Sequence, residues 1–152
     1  MIYDLKTKKE TNQGFTLLEL LVVIAIMAIL IALGTVSYSM AQKKSRDSKV
    51  KSDLKEIQNS LESYFAINGD YPSSYPSDLD SYFASGDTPT DPKTGSDYAY
   101  TVATPGYDNY CLCSNALETS TADNPTGNAD TQGASGACSF TAGNYFCVTS
   151  LQ

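Results

Sequence analysis

Histidine and tryptophan are both absent from this chain of 152 residues. Without imidazole it lacks the commonest general base near neutral pH, the usual base of a Ser or Cys triad, and the commonest metal ligand. There is also no G-x-S-x-G elbow, no phosphate-cradling glycine loop and no acid pair that periodicity sets on one face. An enzyme is therefore not expected. Positive charge is scarce too, with 10 Lys and Arg against 17 Asp and Glu and a net charge of −7. That balance argues against nucleic acid as a specific partner, because phosphate binding needs a basic face that releases counterions.

The other absences are regional and divide the chain into blocks. Proline is missing from residues 15–68, where glycine occurs only at Gly34, and cysteine is missing before Cys111. All six prolines and all four cysteines lie in 69–152. Residues 1–14 are polar, with Lys6, Lys8 and Lys9 offset by Asp4 and Glu10.

What fills the proline-free block is first an apolar run, FTLLELLVVIAIMAILIAL over 15–33, interrupted only by Thr16 and Glu19. As a helix it spans about 28 Å, close to the hydrocarbon thickness of a bilayer. The lysines before it should stay cytoplasmic and send the remainder outward. Beyond the run, Val50, Leu54, Ile57, Leu61, Tyr64 and Phe65 recur at steps of three and four and continue one apolar stripe. The residues between them, Lys43, Lys44, Arg46, Asp47, Lys49, Lys51, Asp53, Lys55 and Glu56, read as a solvated face. Asn68-Gly69 with Pro72 just beyond is a helix stop.

Gly14-Phe15-Thr16-Leu17-Leu18-Glu19, leading into that apolar run, resembles the prepilin signature of type IV pilins and type II secretion pseudopilins. The combination carries the likeness: a basic leader ending in glycine, then phenylalanine, then one carboxylate four residues later. The resemblance implies that a membrane prepilin peptidase cuts between Gly14 and Phe15 and methylates the new amino group of Phe15. It also implies that Glu19 promotes filament assembly by pairing with the N-terminal ammonium of a neighbour. Independently of the family, a carboxylate inside a membrane segment is costly and marks a functional position; its plainer role is to favour a helix N-terminus. Many relatives carry a proline midway along this helix; here Gly34 is the intrinsic breaker, suited either to helix softening or to close packing.

The expected architecture is α+β, pilin-like: one long helix packed on a small antiparallel sheet. It is divided into a leader (1–14), a membrane or filament-core helix (15–34), its amphipathic continuation (35–68) and an extracytoplasmic β/loop head (69–152). Strands are expected near 98–102, 110–117 and 145–151, separated by Pro105-Gly106 and Asp123-Asn124-Pro125 turns. Asn68-Gly69-Asp70-Tyr71-Pro72 and Asp91-Pro92 through Tyr98-Ala99-Tyr100 resemble the segments by which minimal pilins enter their sheet. The likeness implies a C-terminal region closed by a disulfide or a bound calcium.

Cys111, Cys113, Cys138 and Cys147 are even in number and suit two disulfides. A 111–113 bridge is strained, which leaves the nested set, 111–147 with 113–138, or the crossed set. The nested set is expected on the premise that antiparallel pairing brings 111 near 147. A zinc site is the lesser alternative. For calcium, Asp123, Asn124, Asn128 and Asp130, or Asp87, Asp91 and Asp97, offer oxygens without an EF-hand spacing; no other cofactor is expected.

The reading is thus a major pilin-like subunit of a helical homo-oligomeric filament. Its partners are the prepilin peptidase, assembly-platform proteins of the inner membrane and the membrane itself. It sits as a single pass in the cytoplasmic membrane and then in a surface pilus or periplasmic pseudopilus. The alternatives are a pseudopilin of a type II secretion or DNA-uptake machine and, in another class, a secreted or membrane-anchored binding domain that never polymerises. The latter would follow from a signal-peptide cut near Ser39-Met40-Ala41.

Overall fold

A computed structural model describes residues 14–104, 106–121, 126–129, 131–133 and 136–152. Helix α1 runs Leu17–Asn68, followed by a three-residue 3-10 turn, Asp80–Tyr82, and strands β1 (Ala99–Val102), β2 (Tyr110–Cys113) and β3 (Cys147–Thr149). The order of the antiparallel sheet is β1-β2-β3. This is the α+β, pilin-like arrangement. The chain divides into two compact units that meet between Tyr38 and Ser39.

In the first unit the apolar side chains from Leu17 to Leu33 are exposed, including the β-branched Val22, Val23, Ile24 and Ile26. This stretch of α1 is long and apolar enough to cross a membrane by length and composition. Helix propensity alone does not favour such residues, so an apolar surrounding is what this stretch suits.

The second unit is built on the apolar stripe. Val50, Leu54, Ile57 and Leu61 are buried against Tyr71, Leu79, Phe83, Tyr98, Tyr110, Leu112, Leu117 and Val148, with Tyr64 and Phe65 packed at the margin. Aromatic rings make up much of this core. Phe65 meets Tyr71 and Tyr71 meets Tyr110, each pair with centroids 4.7 Å apart, and Tyr100 stacks on Tyr75 at 4.9 Å. The helix stops at Asn68 because Gly69 takes a positive φ of 82° and its N–H closes on the Phe65 carbonyl at 2.8 Å.

The sheet is shorter than the sequence pattern indicates. β2 ends at Cys113 because the next rung is made through a side chain: Ser114 Oγ accepts from Phe146 N at 2.9 Å, while Ser114 N donates to Phe146 O. The outer side of β3 is also occupied. The Asn128 amide accepts from Cys147 N and donates to Cys147 O, and Gln58 Nε2 donates to Thr149 O.

The disulfides are Cys111–Cys138 and Cys113–Cys147, the crossed set. The nested expectation fails on strand register. β2 and β3 pair so that Cys113 faces Cys147, with Cα atoms 4.1 Å apart, while Cys111 faces Thr149. The backbone of Cys147 turns away from β2 toward Asn128, which makes 113/147 a non-hydrogen-bonded pair, where facing side chains come closest. Cys111 therefore reaches the loop cysteine Cys138, beside Gly133, whose missing Cβ would stand 2.6 Å from Cys111 Sγ. The four sulfurs lie within 4.8 Å of one another, but as two bonded pairs.

Candidate functional site

The functional elements of the sequence fall at the start of α1 and along its second half. Thr16 and Glu19 form a reciprocal cap at the helix start. Thr16 N and Oγ1 donate to Glu19 Oε2 at 3.0 and 2.8 Å, and Glu19 N donates to Thr16 Oγ1 at 3.2 Å. This is the capping-box arrangement, with Thr at the N-cap and Glu three residues on, and it satisfies N–H groups that a helix leaves without partners. Thr16 was legible as T-x-x-E before an apolar run, although the sequence reading singled out the Glu alone.

Gly14 and Phe15 precede the helix, and Phe15 is exposed. Gly34 lies inside continuous α1, and a Cβ placed on it would meet no atom within 4 Å. Thr35 Oγ1 bonds back to the Ala32 carbonyl at 3.1 Å, a back-bond of the kind that slightly destabilises a helix. All of the leader (1–14) but Gly14 lies outside the described residues, as do Asp123, Asn124 and Asp130.

Further along α1, the face read as solvated is only partly so. Asp47 and Asp53 are buried. Asp47 accepts from Glu118 N, Thr119 N and Thr119 Oγ1, holding the loop after Leu117 on the helix. Asp53 accepts from Tyr98 OH at 3.2 Å and pairs with Lys49. Nearly two turns before the helix end, Glu62 accepts from Tyr71 OH, Tyr110 OH and Leu151 N. Three carboxylates on one helix thus clasp the head at three heights. Burying Asp47 and Asp53, and half-burying Glu62, is tolerable because each is hydrogen-bonded.

Two ionisations in this unit depart from the ordinary carboxylate value. Glu118 is held low by the Arg46 guanidinium, which bonds both its oxygens, against the opposing effect of burial, and by Lys93 at 3.4 Å. Asp91 is also low: burial would raise it, but the N–H groups of Thr94 and Lys93 and the Asn115 amide outweigh that. Burial pushes Tyr71, Tyr75, Tyr98, Tyr100 and Tyr110 well above the usual phenol value. Of the oxygens offered to calcium, those of Asp91 and Asn128 already accept protein N–H groups.

Residues 11–35 match the model of the prokaryotic N-terminal methylation motif. That segment holds the Gly14-Phe15 junction, the Thr16–Glu19 cap and the exposed apolar helix. Over this N-terminal part the chain is similar to the type IV pilins and their pseudopilin relatives. It is 37% identical over 60 residues to the type IV major pilin protein PilA of Myxococcus xanthus, which is 40% of this chain and 27% of that one. Over 65 residues it is 37% identical to the type II secretion system core protein G of Klebsiella michiganensis, and likewise to that of Aeromonas hydrophila. In both cases this is 43% of this chain and 46% of the relative. The pilin-like chain therefore spans less than half the length of the curated relatives it matches. No solved structure matches it.

Proposed function

We propose that this chain is a structural subunit of a type IV pilus-like filament, major pilin-like, and not an enzyme. The observation that carries the reading is the exposed apolar stretch of α1, broken only by a carboxylate that is tied into its own helix cap. In this reading the prepilin peptidase cuts between Gly14 and Phe15 and methylates the Phe15 amine. Residues 15–34 then hold the subunit in the cytoplasmic membrane until the assembly platform draws it into a homo-oligomeric helical array.

Glu19 has two successive roles here. In the membrane its charge is partly satisfied by Thr16, which lowers the cost of carrying it in an apolar medium. In the filament it is offered to the methylated ammonium of a neighbouring Phe15, a pairing that offsets two desolvated charges and fixes register. Gly34 with the Thr35 back-bond softens α1 during extraction. The segments 35–68 and 69–152 serve as amphipathic support and displayed head, closed by the two disulfides without a required calcium.

The similarity to core protein G of type II secretion supports a second reading, a pseudopilin of a secretion or DNA-uptake machine, which shares the same processing and assembly steps.

Mass spectrometry of the protein from its host, run with and without reduction, tests the reading. The expected product starts at Phe15, carries one added methyl and gains four hydrogens on reduction. A chain starting near Gln42 would mean that a signal peptidase had removed the apolar helix, leaving a secreted binding domain.

A further inference from the structure

Two grooves share a wall on the second unit, at the end of its helix that begins with Ser39. One, of about 350 Å³, is lined by Met40, Ala41, Lys43, Lys44, Glu118 and Thr119. The other, of about 410 Å³, adds Asp47, Ser48, Lys51 and Thr126. Met40 is 67% exposed at the shared end.

The cations of this region are unequally committed. Arg46 is taken by Glu118, Lys49 by Asp53, Lys55 by Gln58, and Lys51 by the Thr126 carbonyl and the face of Phe146. Lys43 and Lys44 are exposed and have no partner among the described residues. The two acids of the groove are spoken for, Asp47 by the N–H groups of 118 and 119 and Glu118 by Arg46 and Lys93. The groove thus offers two free ammonium groups beside an apolar floor.

Side chains on an α-helix tilt toward its N-terminus, so Lys43 and Lys44 lean back over the turn that holds Met40. In sequence they follow Leu33, the last residue of the apolar run, by ten and eleven positions. An ammonium pair leaning toward exposed methionine, a short way past a membrane-length run, matches a ligand that is anionic at one end and apolar at the other. An acidic protein surface would answer the lysines and leave Met40 without a counterpart.

We propose that Lys43 and Lys44, over Met40, bind the phosphate of an anionic phospholipid headgroup in the outer leaflet of the cytoplasmic membrane. This rests on the reading of residues 15–34 as the membrane segment. The contact makes the lipid a competitor of assembly, since a subunit leaving the bilayer must give it up.

The test uses the chain reconstituted in phosphatidylcholine vesicles with traces of spin-labelled phosphatidylglycerol or phosphatidylcholine, and measures their relative association. The wild type is expected to prefer phosphatidylglycerol by about fivefold for each lysine, the surface contribution of one cation. Lys43→Gln with Lys44→Gln should remove that part of the preference and leave only what other cations such as Lys6, Lys8 and Lys9 contribute, and Lys43→Arg with Lys44→Arg should keep it. Both positions are exposed, and unchanged circular dichroism checks the fold. An unchanged preference in the Gln pair, or an equal loss in Lys55→Gln, overturns the site. So does a salt-sensitive cross-linked dimer that the Gln pair loses while lipid preference stays, because the groove then belongs to a second copy. Failure of the chain to remain in carbonate-washed vesicles sinks the membrane reading itself.

Discussion

Leu33 and Leu54 sit in the same helix, yet Leu33 is 68% exposed and Leu54 is fully buried. The two parts of α1 differ less in their apolar residues than in what the chain provides to cover them. From residue 50 onward every apolar position on one face meets an aromatic or aliphatic partner from the head, and the opposite face is charged. From 20 to 33 the helix is apolar all round, and no described residue of its own unit covers it. A helix of that kind suits a bilayer or the interior of an assembly. The head and the second half of α1 cover each other; the apolar segment has no such cover among the described residues.

The sharpest way to break this contrast is at Glu19. Glu19→Gln should reduce filament yield to background while leaving the denaturant midpoint of the head unchanged within about 0.5 kcal/mol. Wild-type filament yield in the variant would detach the carboxylate from assembly. Next in size, replacing Cys113 and Cys147 by serine opens a closure with a sequence separation of 34. It should cost about 4 kcal/mol in urea unfolding, with no effect on membrane insertion. A smaller effect of the same kind is expected at the stripe: Leu54→Ala should lose about 3 kcal/mol of head stability, against no measurable loss for Leu30→Ala. Equal losses at 30 and 54 would contradict the independence of the two units.

The pH dependence of the head is the mildest of these effects. Glu118 and Asp91 have lowered folded values, so their contribution is complete above the ordinary carboxylate range near 4 and fades as pH falls through the lowered values. The five core tyrosines, three buried and two half-buried, have raised folded values, so their contribution is complete below about pH 10 and is lost as pH rises beyond it. The absorbance step of these five tyrosinates should therefore coincide with loss of ellipticity above pH 10. Ionisation of all eleven tyrosines while ellipticity persists would contradict the burial of these rings.

Much of this was readable from local pattern. The apolar run, the stripe of Val50, Leu54, Ile57 and Leu61, the stop at Asn68-Gly69 and the three strand cores all rest on periodicity or turn chemistry between near neighbours. What failed depends on distant residues. The crossed disulfides follow from a register that sets Cys113 opposite Cys147, and no spacing within 111–113 or 138–147 encodes that register. Asp47 and Asp53 looked solvated because their partners, the N–H groups of 118 and 119 and the hydroxyl of Tyr98, come from segments more than forty residues away. Thr16 is the exception, since its capping signature was local and complete.

Asn128 carries a consequence for the proposed filament. By occupying both backbone groups of Cys147, with Gln58 on Thr149, side-chain amides stand where an added strand would bond. Subunits that polymerise through their helices crowd their heads at very high local concentration, the condition under which open sheet edges recruit one another into cross-β aggregates. A head closed along β3 lets a chain be strongly self-associating at one end and inert at this edge of the other.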